Sequence, residues 1–107
     1  MKPPADCRDM AELRGAIDAL DAGIVALLKR RADYIDRAAE LKRAAGLPAR
    51  IDARVEEVVA RVRDRAAAEG LDPGLAETVW RQLIEWSIAR EDRLLGHPAG
   101  TTEPPQG

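Results

Sequence analysis

Phenylalanine is absent from this chain, and tyrosine and tryptophan together supply three residues, so whatever core it builds must be aliphatic. A single cysteine, Cys7, excludes an internal disulfide and fits a free thiol in a reducing, cytoplasmic setting. The one histidine, His97, stands alone, and no His, Cys, Asp and Glu grouping has metal-ligand spacing, so neither a metal nor a cofactor is expected. A basic excess is missing too. Lys and Arg number 17 against 19 Asp and Glu, giving a net charge of -2 and a pI near 5.4, which argues against a nucleic-acid partner. No apolar run approaches the roughly 20 residues that span a bilayer, and the Met1 to Asp6 start lacks a signal-peptide core. Neither a membrane partner nor secretion is expected.

What is present points to one helical domain. The 107 residues are 46% hydrophobic and 34% charged, a globular balance. An all-α protomer of three helices is expected, with no strands and no internal repeat. The first helix runs from about Asp9 to Ala45 without an internal proline and stops at Gly46-Leu47-Pro48. The second begins near Ile51 or Asp52 and ends around Glu69, with Gly70 just past its end and Val55, Val58, Val59, Val62 and Ala66 as its stripe. The third opens with Asp72 as N-cap and Pro73 at the first helical position and reaches about Leu95. Residues 1–95 thus form the domain. From 96 to 107, three prolines and three glycines without periodicity, His97 among them, read as a disordered tail with no assigned role.

Helix 1 carries the most telling anomaly. Leu13, Ile17, Leu20, Ile24, Leu28, Ile35 and Ala38 form the stripe a helix normally buries. Arg31 and Lys42 stand on that same stripe, because at about 100° per residue their 11-residue separation returns to within roughly 20°. Two like charges buried without partners would cost several kcal/mol each, so an anion is expected between them unless both side chains snorkel outward. The helix is also too long for a compact monomer. About 37 residues give roughly 55 Å, against a radius of gyration near 13 Å for a domain of this size. An intertwined homodimer is the economical solution.

Other polar residues join that picture. Arg14 lies 17 residues before Arg31, roughly 25 Å along the helix and about 100° around it. If both bind one small ligand, Arg14 must reach the partner subunit's site; otherwise it is a solvated cation pairing with Asp18. In the third helix Leu75, Val79, Trp80, Leu83, Ile84, Trp86 and Ile88 sweep an apolar arc of about 220°. Ser87 and Glu91 fall inside it at i and i+4, one above the other. Arg54, beside Val55, is by itself an ordinary surface arginine.

Taken in order, these residues resemble the all-helical chorismate mutases, and within them the branch of small isochorismate pyruvate lyases of salicylate synthesis. The resemblance covers about Pro4 to Leu95. It is carried by Asp6-Cys7, Leu13-Arg14, Ile17-Asp18, Leu20-Asp21, Arg30-Arg31 through Asp33-Tyr34, Lys42, Gly70-Leu71-Asp72 and Ile84-Glu85-Trp86. It implies an interlocked homodimer with two shared active sites. In each site, Arg31 and Arg54 of one subunit and Arg14 of the other would grip the carboxylates of a small dianion, a task suited to guanidinium geometry. Lys42 would hydrogen-bond the ether oxygen, Glu91 would face that oxygen's other side, and Ser87 would sit beside the substrate. The Gly46 to Arg50 loop would close over the site.

The chemistry so implied is pericyclic and needs no nucleophile, metal or cofactor: the site holds a compact conformer and stabilises a polarised transition state. Rearrangement of chorismate to prephenate, feeding phenylalanine and tyrosine synthesis, is the first reading. Elimination of pyruvate from isochorismate is the second, and a non-enzymatic helical dimerisation module the third. Two positions depart from the usual mutase pattern. Glu91 stands where bacterial mutases often have Gln, and it must be protonated to donate to the ether oxygen. Activity should then fall as pH rises, and Glu91→Gln should flatten the profile. Val55 replaces the Glu of typical mutases, a lyase-branch trait, whereas lyases usually carry Gln at the position of Glu91. Ile51 lacks the acid that typical mutases have near there and is given no role.

Overall fold

A computed structural model describes residues 2–96, and the tail from 97 onward, His97 included, lies outside them. The described residues are all-α: a short 3-10 turn, Pro4–Asp6, precedes three helices, α1 (Met10–Ala45), α2 (Asp52–Glu69) and α3 (Pro73–Leu94). The boundaries follow local chemistry. The Asp9 carboxylate accepts the Glu12 N–H at 2.8 Å, satisfying one of the orphan donors at the start of α1. α1 and α2 end alike: Gly46 and Gly70 take positive φ of 70° and 76°. The next residue's N–H then reaches back to close the last turn, Leu47 to the Lys42 carbonyl and Leu71 to the Ala66 carbonyl, each at 2.8 Å. A side chain at either glycine would be strained in that conformation. At the start of α3, Asp72 accepts the Gly74 N–H at 2.9 Å while Pro73 has no N–H to satisfy. α3 stops one residue earlier than expected, and Gly96, placed with the tail in the sequence reading, donates its N–H to the Arg93 carbonyl at 3.1 Å.

The described residues fall into two units, up to Tyr34 and from Ile35 on. The first consists of the 3-10 turn and most of α1, and none of its side chains is buried. The second holds the core, where Ala49, Val59, Ile84 and Ile88 pack together with Val55, Val58 and Leu95 around them. α2 and α3 lie side by side as the helix pair in extended close approach. Their rim is laced with ion pairs: Arg63 with Glu77 at 2.8 Å, Arg81 with Glu77 at 2.7 Å and with Glu56 at 3.2 Å. Exposed pairs of this kind contribute well under about 1 kcal/mol each, so burial of the aliphatic side chains holds the pair together.

Candidate functional site

Lys42 occupies the last turn of α1, where its carbonyl is already engaged by the Leu47 N–H. Its ammonium donates to the Ala49 carbonyl at 2.7 Å. Backbone and side chain of one residue thereby pin both ends of the turn that links α1 to α2. The same ammonium stands 3.0 Å from Glu91 Oε1 of α3. The Lys42 side chain keeps 20% of its exposure and that of Glu91 only 5%, so the pair is largely screened from water and its field is stronger than at the surface. Oε1 is buried and takes no directed hydrogen bond. The contact is therefore one of charge, and that oxygen's lone pairs are not committed. An ammonium and a carboxyl group so placed can meet a ligand oxygen from two sides, the ammonium donating throughout and the carboxyl when protonated.

Ser87 lies one turn before Glu91 on α3 and is equally buried, its hydroxyl donating to the Leu83 carbonyl at 2.7 Å. Arg54, on the first turn of α2, is exposed and its guanidinium pairs with Glu57. Arg14 is exposed and Arg31 partly buried, both on α1 in the N-terminal unit. The structure thus brings Lys42 and Glu91 into contact, sets Ser87 one turn away from Glu91, and engages Arg54 locally. Glu91 gives Lys42 a counter-charge from within the chain. The α1 stripe by itself does not reveal which residue of another helix meets Lys42; the family resemblance is what set Glu91 opposite it.

A cleft of about 430 Å³ opens beside Lys42, lined by Arg43, the Gly46 to Ala49 turn, Asp92 and Leu95, a size suited to a small molecule. The turn expected to close over the site therefore forms one wall of this cleft. Two further ion pairs frame the region, and sequence reasoning found neither. Arg90 donates to Asp36 through two nitrogens, Nε to Oδ1 at 2.8 Å and Nη2 to Oδ2 at 3.1 Å; this hydrogen-bonded fork, and then its charge, raises the Arg90 pKa. Arg50 meets Glu85 at 2.5 Å, and the hydrogen bond, more than the charge, raises the Arg50 pKa and holds the Glu85 carboxyl below the usual range. These partners lie 54 and 35 residues apart, and no local pattern signals such pairs.

Among the described residues no group of three or more His, Cys, Asp or Glu side chains is placed to hold a metal ion. No helix there is long and apolar enough to cross a membrane.

Comparison with known proteins adds the family context. The family model described as chorismate mutase type II matches residues 13–92. The isochorismate pyruvate lyase of Pseudomonas aeruginosa is 39% identical over 95 residues, covering 85% of this chain and 89% of that protein. The 4-amino-4-deoxychorismate mutase of Streptomyces pristinaespiralis is 29% identical over 93 residues, 87% of this chain and 72% of that protein. The T-protein of Enterobacter agglomerans is 31% identical over 84 residues; the match takes in 78% of this chain but only 22% of that longer protein.

Proposed function

The chain belongs to the type II chorismate mutase family, and on that footing we propose that it is a chorismate mutase, rearranging chorismate to prephenate in a cytoplasmic homodimer with shared sites. The observation that carries this reading is the screened Lys42–Glu91 couple, with Nζ 3.0 Å from Oε1. In the rearrangement the ether C–O bond breaks as a C–C bond forms, and negative charge develops on the ether oxygen. Lys42 donates to that oxygen. Glu91, once protonated, donates from the other side. Preorganised donors aimed at developing charge are worth about 3–4 kcal/mol each where water is excluded.

To Arg14, Arg31 and Arg54 we assign the substrate carboxylates, with Arg14 acting on the partner subunit's site and Arg54 exchanging Glu57 for substrate. Ser87 lies beside the bound ligand. The assignment follows the family pattern and asks of these residues only binding and orientation, which suffices for a pericyclic reaction. Support for the homodimer comes from the apolar stripe of α1, where Ile17, Leu20 and Ile24 are 47%, 54% and 54% exposed in the isolated chain; a second copy would cover it.

A second reading has its own support. Val55 and the 39% identity to a protein named isochorismate pyruvate lyase favour pyruvate elimination from isochorismate at the same pocket. Glu91 weighs toward the mutase, since lyases of this branch usually have Gln there. The variant Glu91→Gln tests its weight: for a mutase it flattens the pH dependence of chorismate turnover, and a wild-type rate constant with pH from acid to neutral would remove Glu91 from the mechanism.

A further inference from the structure

Among the described residues, the Lys42–Glu91 and Asp36–Arg90 ion pairs bridge the C-terminal part of α1 to α3, and the first is made of site residues while the second is not. Lys42 and Glu91 form the inner bridge and Asp36 and Arg90 the outer one. Helical geometry explains their arrangement. On α1, Asp36 and Lys42 fall about 60° to either side of Ala39, which is 2% exposed. On α3, Arg90 and Glu91 fall about 60° and 40° to either side of Ser87, also buried. Ala39 and Ser87, at the centre of the two arcs, are small, and Ile35 on α1 and Leu83 and Leu94 on α3 flank them within the arcs, partly buried. At that centre the small side chains interdigitate weakly and add little to the register of one helix against the other. A two-nitrogen fork onto a carboxylate is directional and specifies it.

Register matters most when the inner bridge opens. At 3.0 Å there is no room for a ligand oxygen between Nζ and Oε1, because two hydrogen bonds to a shared oxygen hold their donors on the order of 4–5 Å apart. Substrate must part the pair, and the attraction that aligned it is then lost. We propose that the Asp36–Arg90 fork is a positioning pair of the site: it holds α3 in register on α1 so that Glu91, the residue after Arg90, stays opposed to Lys42 when a substrate oxygen enters between them. The inference rests on the roles proposed above for Lys42 and Glu91. Neither Asp36 nor Arg90 needs to touch substrate.

Arg90→Lys keeps the charge and removes the fork. It is to be assayed with chorismate and isochorismate in the wild-type and Glu91→Ala backgrounds, and the ¹³Cδ resonance of Glu91 followed in the Lys42→Ala protein, where the inner bridge is already absent. We expect kcat to fall on the order of 10- to 100-fold with little change in KM, as for a misplaced catalytic group. In the Glu91→Ala background the same substitution should change kcat less than about twofold, because the residue it positions is gone. The Glu91 resonance should move. Equal losses in both backgrounds would mean a merely structural pair and overturn the proposal. Should the wild-type protein turn over neither substrate, the functional reading fails, and the resonance alone then decides: if it moves the fork positions Glu91, and if it does not the fork has no such role. Asp36→Asn provides the same readouts if Arg90→Lys does not fold.

Discussion

α1 up to Tyr34 and the chain from Ile35 onward use the same aliphatic periodicity to opposite ends. In the first region Leu13 is partly buried, Leu28, Ile17, Leu20 and Ile24 are 36% to 54% exposed, and no described residue is buried. In the second, Val59, Ile84 and Ile88 are 5 to 8% exposed and close a core with Ala49. Periodicity reports which face of a helix is apolar, not what covers it. Fully burying a large aliphatic side chain is worth about 1.5–3 kcal/mol, so a stripe of five left about half open forgoes on the order of 5 kcal/mol. A helix of 36 residues has little reason to persist in that state, since most helical stability in proteins comes from packing. The proposed second copy supplies it.

A charge placed on the open stripe breaks this contrast most severely. Ile24→Lys should weaken dimerisation by three orders of magnitude or more, at several kcal/mol for an unpaired buried ammonium, seen as a halved mass in sedimentation. Val25→Lys, one residue on and 65% exposed, should leave the mass unchanged; equal behaviour of the two would erase the distinction between the faces.

In the second region the expected damage is to chemistry rather than assembly. Lys42→Ala should lower kcat/KM by about 10²- to 10³-fold while the dimer persists. It also leaves Glu91 buried without its counter-ion, so thermal stability should drop and partly recover in Lys42→Ala/Glu91→Gln, without recovery of activity. Such recovery would show that the lysine contributed charge balance and no catalysis.

The smallest effect belongs to the rim. Arg50 depresses the Glu85 pKa in the folded state, so this pair's stabilisation is present above the unfolded value near 4.3 and is lost as pH falls through the lower folded value. Both side chains are half exposed, which limits the contribution to less than about 1 kcal/mol. Glu85→Gln should shift the urea midpoint slightly at neutral pH and make stability fall less steeply below about pH 5.

How much of this was legible in sequence depended on whether the cause was local. Helix ends were, because Gly46, Gly70, Asp72 and Pro73 act within a turn of themselves. The open stripe of α1 was, from spacing alone. The site was legible in part: Lys42 and Glu91 each stood out as polar residues in apolar surroundings, but their pairing came into view only through family resemblance and then the structure. The Asp36–Arg90 fork was not legible, since its partners are ordinary surface types in sequence. The local pairing of Arg54 with Glu57 was equally undistinguished, one of many i, i+3 opportunities on a charged helix.

The most direct test of the functional account is a side-by-side determination of kcat/KM for chorismate, following prephenate, and for isochorismate, following salicylate and pyruvate, with Lys42→Ala as control. Chorismate should be preferred, and the preference should vanish with the lysine. A preference for isochorismate would contradict the mutase reading in favour of the lyase, and turnover of neither substrate would leave a helical dimerisation module.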